Sequence, residues 1–298
     1  MLFDKDKITE IFYLADEFCE EFSKTVQNNS LGHKAKRKPK MTNSEVITIL
    51  ILYHGGCYKN LKHFYNFFVK LHMKSEFPKT VSYNRFVELQ ARVILPLTLF
   101  LKTCSLGDCS GISFIDSTPI RVCKNKRIPK HRVFDGIAER GKSTMGYFYG
   151  FKLHFIINDK GEILNFMITP GNVDDRNPLK DKSFVEKIRG KLYADKGYVS
   201  KELTEVLFVD GLHLITYIRN NMKNVLMEMK DKILLRKRSI IETINDQLKN
   251  ICDVEHSRHR SFNNFITNLI AALITYAFFE KKPAIKYETI KSDQLGIF

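Results

Sequence analysis

The chain lacks most of the features that would mark a secreted, membrane-bound or metal-stapled protein. Its six cysteines, Cys19, Cys57, Cys104, Cys109, Cys123 and Cys252, form no CxxC pair, and none stands at zinc-ligand spacing from a histidine. Free thiols in a reducing compartment are the reading this spacing supports. The N-terminus mixes Asp4, Lys5, Asp6 and Lys7 without an apolar segment, so no signal peptide is expected. The most apolar stretch, Leu269 to Phe279, is about half of the roughly 20 residues that span a bilayer, which makes it a core helix. A cytoplasmic location follows as an expectation. No internal repeat and no low-complexity segment occurs. Acidic residues are scarce beside basic ones: 33 Asp and Glu stand against 48 Lys and Arg, a net charge of +15 over 298 residues. That excess suits a polyanionic partner, nucleic acid first, although charge alone also fits a merely soluble basic protein.

What is present falls into two patterns. Up to about residue 105 the periodicity is helical. Ile8, Ile11, Phe12, Ala15, Phe18 and Phe22 predict an amphipathic first helix. The basic run Lys34 to Lys40 (KAKRKPK) reads as a solvated linker or a phosphate-contacting arm. Thr42 with Glu45 is a capping box ahead of Val46, Ile47, Ile49, Leu50 and Leu52, and that helix should stop at Gly55-Gly56. Two more helices are predicted over about 59–72 and 82–102, giving a helix-turn-helix-like module over residues 1–105. From Gly111 onward strands alternate with helices. A buried strand should run through Ile112, Phe114 and Ile115 and end at Asp116, stopped by Ser117-Thr118-Pro119. Tyr147 to Ile157, a turn at Asp159-Lys160-Gly161, and Ile163 to Thr169 read as a hairpin. Asp174-Asp175-Arg176 opens a helical stretch to about Arg189. Lys191 to Asp195 and Leu212 to Ile218 are further strands, and a long helix is expected from about Asp231 to Ile251.

Two strands thus end in an aspartate, Asp116 and Asp195. In an open sheet the site lies beyond the strand ends, so two such acids can converge there. Paired carboxylates repel unless a cation separates them, and magnesium suits oxygen ligands that leave room for water and phosphate. On the long helix Ile241, Ile244, Leu248 and Ile251 mark a buried face, while Arg238, Glu242, Asn245 and Lys249 follow a neighbouring stripe. A third acid could come from there; the plain alternative is a solvated face with an Arg238–Glu242 pair.

These residues resemble something specific. Asp116 in FIDST, Asp195 in ADKGY and Glu242 in RKRSIIETIND look like the acidic triad of DDE insertion-sequence transposases. The third block resembles the signature Tyr-x2-Arg-x3-Glu-x6-Lys of one branch, with Arg238, Glu242 and Lys249 in place. Leu235 stands where the Tyr would be, a departure that touches that residue's DNA-end contact and not the acids. RGKSTMGYFYGFKLH and TPGNVDDR are similar to this group too, and the likeness extends to the insertion-sequence family numbered 982, over about residues 40 to 285. The resemblance implies an α/β, ribonuclease-H-like catalytic core with a mixed five-stranded sheet over residues 106–285. That core would follow the all-helical N-terminal region and precede a tail at 286–298. It implies two Mg²⁺ ions (Mn²⁺ as substitute) on Asp116, Asp195 and Glu242, in-line phosphoryl transfer on double-stranded DNA, and a homodimer that pairs the element's terminal repeats before joining them to target DNA. Arg121, Lys126, Arg127, Lys130, Arg132, Lys142, Lys152, Arg238, Lys249, Arg258 and Arg260 would hold DNA phosphates; for His256 and His259 a surface or core role is the expectation.

Competing readings exist. Gly136 to Ser143 (GIAERGKS) matches the phosphate-loop pattern letter for letter, but charged residues precede it and a strand-like run follows it, so a basic DNA-facing loop and no nucleotide site is expected. Asp135 and Asp174 could be further acids, although turn and helix-start roles account for them. A non-catalytic DNA-binding relative would keep the basic surface and could lose any of the acids. A structure-specific nuclease of the same fold would keep the acids and cut without joining.

Overall fold

The computed structural model describes residues 3–29, 39–56, 58–144, 146–217, 226–255 and 259–286. Helix α1 (Lys5–Asn29) buries Ile11, Ala15 and Cys19. Helix α2 (Asn43–Gly55) starts at the predicted capping box: Thr42 Oγ1 accepts from the Glu45 N–H at 3.1 Å, and the Glu45 carboxylate accepts from the Thr42 N–H at 2.7 Å. Its sequence is apolar on every side, and so every residue but Asn43 and Glu45 is buried. Next come α3 (Leu61–His63), continued by a π-helix over Phe64–His72, then α4 (Tyr83–Arg92) and α5 (Ile94–Phe100), which ends in a π-helical turn at Leu101–Ser105.

The α/β part contains β1 (Ile112–Cys123), β2 (Glu139–Ser143), β3 (Gly146–Asn158), β4 (Ile163–Pro170), α6 (Lys182–Val185), β5 (Gly190–Ala194), α7 (Lys201–Val209), β6 (Leu212–Thr216), α8 (Met229–Lys237), α9 (Ser239–Asn250) and α10 (Phe262–Ala277). β1 runs antiparallel to β3 and parallel to β5, and β6 runs parallel to β5. β2 and β4 both pair antiparallel with β3, β2 along Gly146–Gly150 and β4 along Phe151–Ile157, so they share one edge end to end. The mixed sheet is therefore five rows wide. This is the ribonuclease-H-like class expected, a mixed sheet joined to an all-helical N-terminal region.

Alternation along the strands sends side chains to two cores. Phe114, Phe151, Leu153, Phe155 and Tyr193 face the large core shared with α8, α9, α10 and the N-terminal helices. Ile115, Ile156, Leu192 and Ala194 face a smaller core covered by α6 and α7. Helix α10 packs on α2, α4 and α5, so the helical layer is assembled from both ends of the sequence.

Several expectations need correction. β1 does not stop at Asp116 but continues through Pro119 to Cys123. Beyond Phe114 it has lost β5 as a neighbour, which makes it an edge strand where proline is tolerated. Residues 139–143 of the GIAERGKS segment are strand β2 and not a loop; Gly141 lies against Phe148 and the Gly171 carbonyl, where a side chain would not fit. Strand follows strand there, whereas a phosphate loop must open a helix. The long helix is two, because Arg238 N–H turns to the Leu235 carbonyl at 3.3 Å and α9 restarts at Ser239. The third N-terminal helix likewise breaks at Val93, and the stretch after Asp174 forms turns and the short α6. Within the helix-turn-helix-like expectation, α2 is a core helix with no face for a partner. Cys57, residues 34–38 of the basic run, Ile218, His256, Arg258 and residues 287–298 of the tail lie outside the described residues. Among the described residues no helix is long and apolar enough to cross a membrane, and no cysteine is in a disulfide.

Candidate active site

Register brings the first two acids together. Phe114 on β1 stands beside Tyr193 on β5, their rings stacked at 5.5 Å. Two residues further along each parallel strand, on the same face, are Asp116 and Asp195. Asp195 follows the last residue of β5 and begins a 3₁₀ turn, its carboxylate accepting the Lys196 N–H at 2.7 Å. Helix α9 packs against β1 and carries Glu242 in its first turn.

The three carboxylates meet around one guanidinium. Arg238, at the break between α8 and α9, places Nη1 at 3.8 Å from Asp116 Oδ1. Its Nη2 lies 4.0 Å from Asp195 Oδ1 and 3.5 Å from Glu242 Oε1. These are charge contacts more than hydrogen bonds, and Nη1, buried, has no hydrogen-bond partner. Asn245, one turn beyond Glu242, donates Nδ2 to Asp116 Oδ2 at 3.2 Å, leaving its own buried Oδ1 without a partner. Arg238 is 12% exposed, Asp116 22%, Asp195 53% and Glu242 64%, so the cluster has a sealed floor and an open rim.

Burial pushes the Asp116 carboxyl up to about 6; the Asp195 and Glu242 charges add to the rise, while Arg238 and the Ser117 N–H oppose it. Three negative charges against one positive leave the cluster short of cation. The donors are hard oxygens of the kind Mg²⁺ takes, two of them at the open rim, so the residues fit a divalent ion in charge and chemistry. Among the described residues no three ligating side chains stand at the spacing of one ion's ligands, and Arg238 lies between these three.

A second polar chain adjoins the first. Ser117 Oγ donates to Asp175 Oδ1 at 2.9 Å, and Lys152 Nζ contacts the same oxygen at 2.9 Å and the Val173 carbonyl at 2.9 Å. Tyr198 is buried beside it, its hydroxyl pushed well above its usual range by burial and by the charges of Asp116 and Asp175. Asp174, flagged from sequence, turns away: its two oxygens fork with Arg176 at 2.8 and 2.7 Å, which holds its carboxyl well below the usual range. Asp175 is the neighbour that sequence reasoning passed over, and nothing in TPGNVDDR distinguishes the two.

The basic residues divide. Lys126, Arg127, Lys130 and Arg132 are exposed around the 3₁₀ segment Asn125–Lys130, and Lys142 on β2 lies 5.9 Å above the Tyr147 ring. A groove of about 970 Å³ runs past Arg140, Lys142 and Arg176 to Asp175 and Gly197, at the edge of the acid cluster. Arg121 and Lys249 both face Glu255, at 3.9 and 3.6 Å. Lys152 and Arg238, expected on phosphates, are instead turned inward onto Asp175 and the acid trio. Arg260 is exposed beside a separate pocket of the helical layer. Leu235 is buried, so no side chain reaches out from the position of the signature tyrosine.

Residues 106–262 match the family model described as transposase DDE domain. Among solved structures, the chain is similar to the piggyBac transposase synaptic complex with hairpin DNA at 14% identity and a TM-score of 0.46, covering 93% of this chain and 71% of that one. It is also similar to the Mos1 strand transfer complex at 10% identity and a TM-score of 0.25, covering 91% and 88%. No curated protein matches.

Proposed function

Belonging to the transposase DDE domain family, the chain is a DNA transposase, and we propose that it cleaves the ends of an insertion sequence and joins the freed 3′-hydroxyl to target DNA, with Asp116, Asp195 and Glu242 as its catalytic acids. The observation that carries this reading is the meeting of three carboxylates, from β1, the end of β5 and α9, around a single guanidinium whose one charge does not balance theirs. Asp116, Asp195 and Glu242 would hold two Mg²⁺ ions. Bound there, divalent ions stabilise the attacking and leaving oxygens of an in-line displacement.

The chain's own groups prepare that chemistry. Asn245 orients Asp116 and the Lys196 N–H orients Asp195. Arg238 shields the acids from one another, and its loose contacts let it yield to other cations. The exposed Lys126, Arg127, Lys130, Arg132 and Lys142 position the phosphate backbone along the groove. Water attacks the phosphorus at the element end, the P–O3′ bond breaks, and the departing oxygen takes a proton to become the 3′-hydroxyl. That hydroxyl then attacks a target phosphodiester and loses its proton as the target's own P–O3′ bond breaks; the expelled target 3′-oxygen takes up a proton, and no covalent link to protein forms. Two protomers would be needed to hold two element ends.

The test is to incubate the protein and Mg²⁺ with labelled duplexes that flank its own coding region. Cut and joined products are expected. Asp116→Asn, Asp195→Asn and Glu242→Gln should each lower cleavage by about 10³-fold or more, the scale on which preorganised charge at a reacting centre acts, while duplex affinity stays nearly unchanged. Near-normal cleavage by any one of them refutes the assignment, and cutting without joining leaves a nuclease.

A further inference from the structure

The helical layer holds a pocket of about 590 Å³ that shares no residue with the acid cluster or the basic groove. Its floor is made of carboxamides. Gln90 on α4 and Asn268 on α10 are 1% and 2% exposed. Asn268 Nδ2 donates to the Asn264 backbone carbonyl at 2.7 Å and to Gln90 Oε1 at 3.0 Å. Because a carbonyl can only accept, that contact fixes the Asn268 amide, which in turn fixes the amide of Gln90. Asn264 Nδ2 points to the Val87 carbonyl at 3.3 Å. What remains is one donor, Gln90 Nε2, and two acceptors, Asn264 Oδ1 and Asn268 Oδ1, all buried and none with a partner. Unmatched amides destabilise a fold, and three at one pocket call for a ligand. Three exposed cations line the pocket: Lys59, which Asp253 holds at 3.3 Å, and Lys62 and Arg260.

We propose that this pocket takes one unpaired nucleotide, its base on the amide floor and its phosphate between Lys62 and Arg260. A donor beside acceptors complements a base that carries an exocyclic amine near a ring or carbonyl acceptor, as adenine, cytosine and guanine do, and adenine is the one that Asn and Gln side chains commonly read. Thymine has one N–H between two carbonyls and leaves an Asn oxygen unmet. The volume suits a single nucleotide-sized ligand. The nucleotide comes from DNA unstacked at an end or from a free mononucleotide, and both carry the same chemistry.

The test uses the full chain in EDTA, so that cleavage plays no part, with fluorescence anisotropy on three duplexes: blunt, with a one-nucleotide dA overhang, and with a dT overhang. The dA overhang should bind about tenfold tighter than the blunt duplex, the discrimination typical of a good bidentate base contact, with dT gaining less. Lys62→Ala, at the surface, and Gln90→Glu, which keeps the shape but removes the donor, should each abolish that gain and leave blunt-duplex affinity unchanged. Displacement of the dA probe by dAMP supports a free mononucleotide as a source; a retained overhang preference without displacement supports a nucleotide of DNA. No preference and no dAMP binding, or a preference that survives both substitutions, overturns the proposal. A protein that cleaves but shows no preference loses only this pocket's assignment; one with the preference that does not cleave loses only the catalytic one.

Discussion

The acid cluster and helix α2 are opposites built on one core. Around α2 the contacts are mostly hydrocarbon, supplied by α1 on one side and α10 on another. Where β5 ends beside the middle of β1, three carboxylates share a guanidinium that none of them bonds well. The first arrangement releases free energy through buried apolar area; the second spends some of it holding like charges together. The contrast teaches where this fold is strong and where it is poised to accept something from outside.

Three substitutions probe that contrast, the largest effect first. Phe86→Ala removes a fully buried ring stacked on Tyr65 at 4.3 Å and should lower unfolding free energy in urea by about 3–5 kcal/mol, whatever the metal concentration. A loss below about 1 kcal/mol would mean that the helical layer is not where stability resides. Arg238→Ala takes away the cation that the three acids share, and the metal-free protein should lose roughly 1–3 kcal/mol, less than a fully buried pair because Asp195 and Glu242 are exposed. Mg²⁺ should raise the melting temperature of this variant more than that of the parent; an equal rise would separate Arg238 from the ion's site.

Asp116→Asn should do the reverse and stabilise the metal-free protein. A carboxyl raised to about 6 binds its proton more tightly folded than unfolded, so the parent loses stability as pH climbs from about 4 through 6. The variant's advantage should therefore reach up to about 3 kcal/mol at pH 8 and nearly vanish near pH 4, as thermal melts across that range can show. An advantage that does not change with pH would place its origin in packing instead of charge.

How much of this was readable beforehand depends on the reach of the interaction. Local rules worked: the Thr42–Glu45 capping box formed, and Gly161 takes a positive φ of 76° in the Asp159-Lys160-Gly161 turn. The stripe of Arg238, Glu242 and Asn245 beside the buried face of Ile241, Ile244 and Leu248 was legible too, and all three reach the acid cluster. The continuation of β1 past Pro119 was not, because it depends on where a partner strand 70-odd residues away stops pairing. Nor was the helix break at Arg238, since RKRS contains no Gly or Pro to signal it. Counting charge showed a basic surface but could not separate Lys142, which faces outward, from Lys152, which is held by Asp175.

The return of α10 to the N-terminal helices has a consequence for biosynthesis. A ribosome makes α2 (Asn43–Gly55) long before α10 (Phe262–Ala277), the helix that covers it, so through that interval a strip of isoleucine and leucine faces water or a chaperone. Products cut short by a frameshift before residue 262 should therefore clump and be cleared, and only a chain read through α10 would be released ready to act.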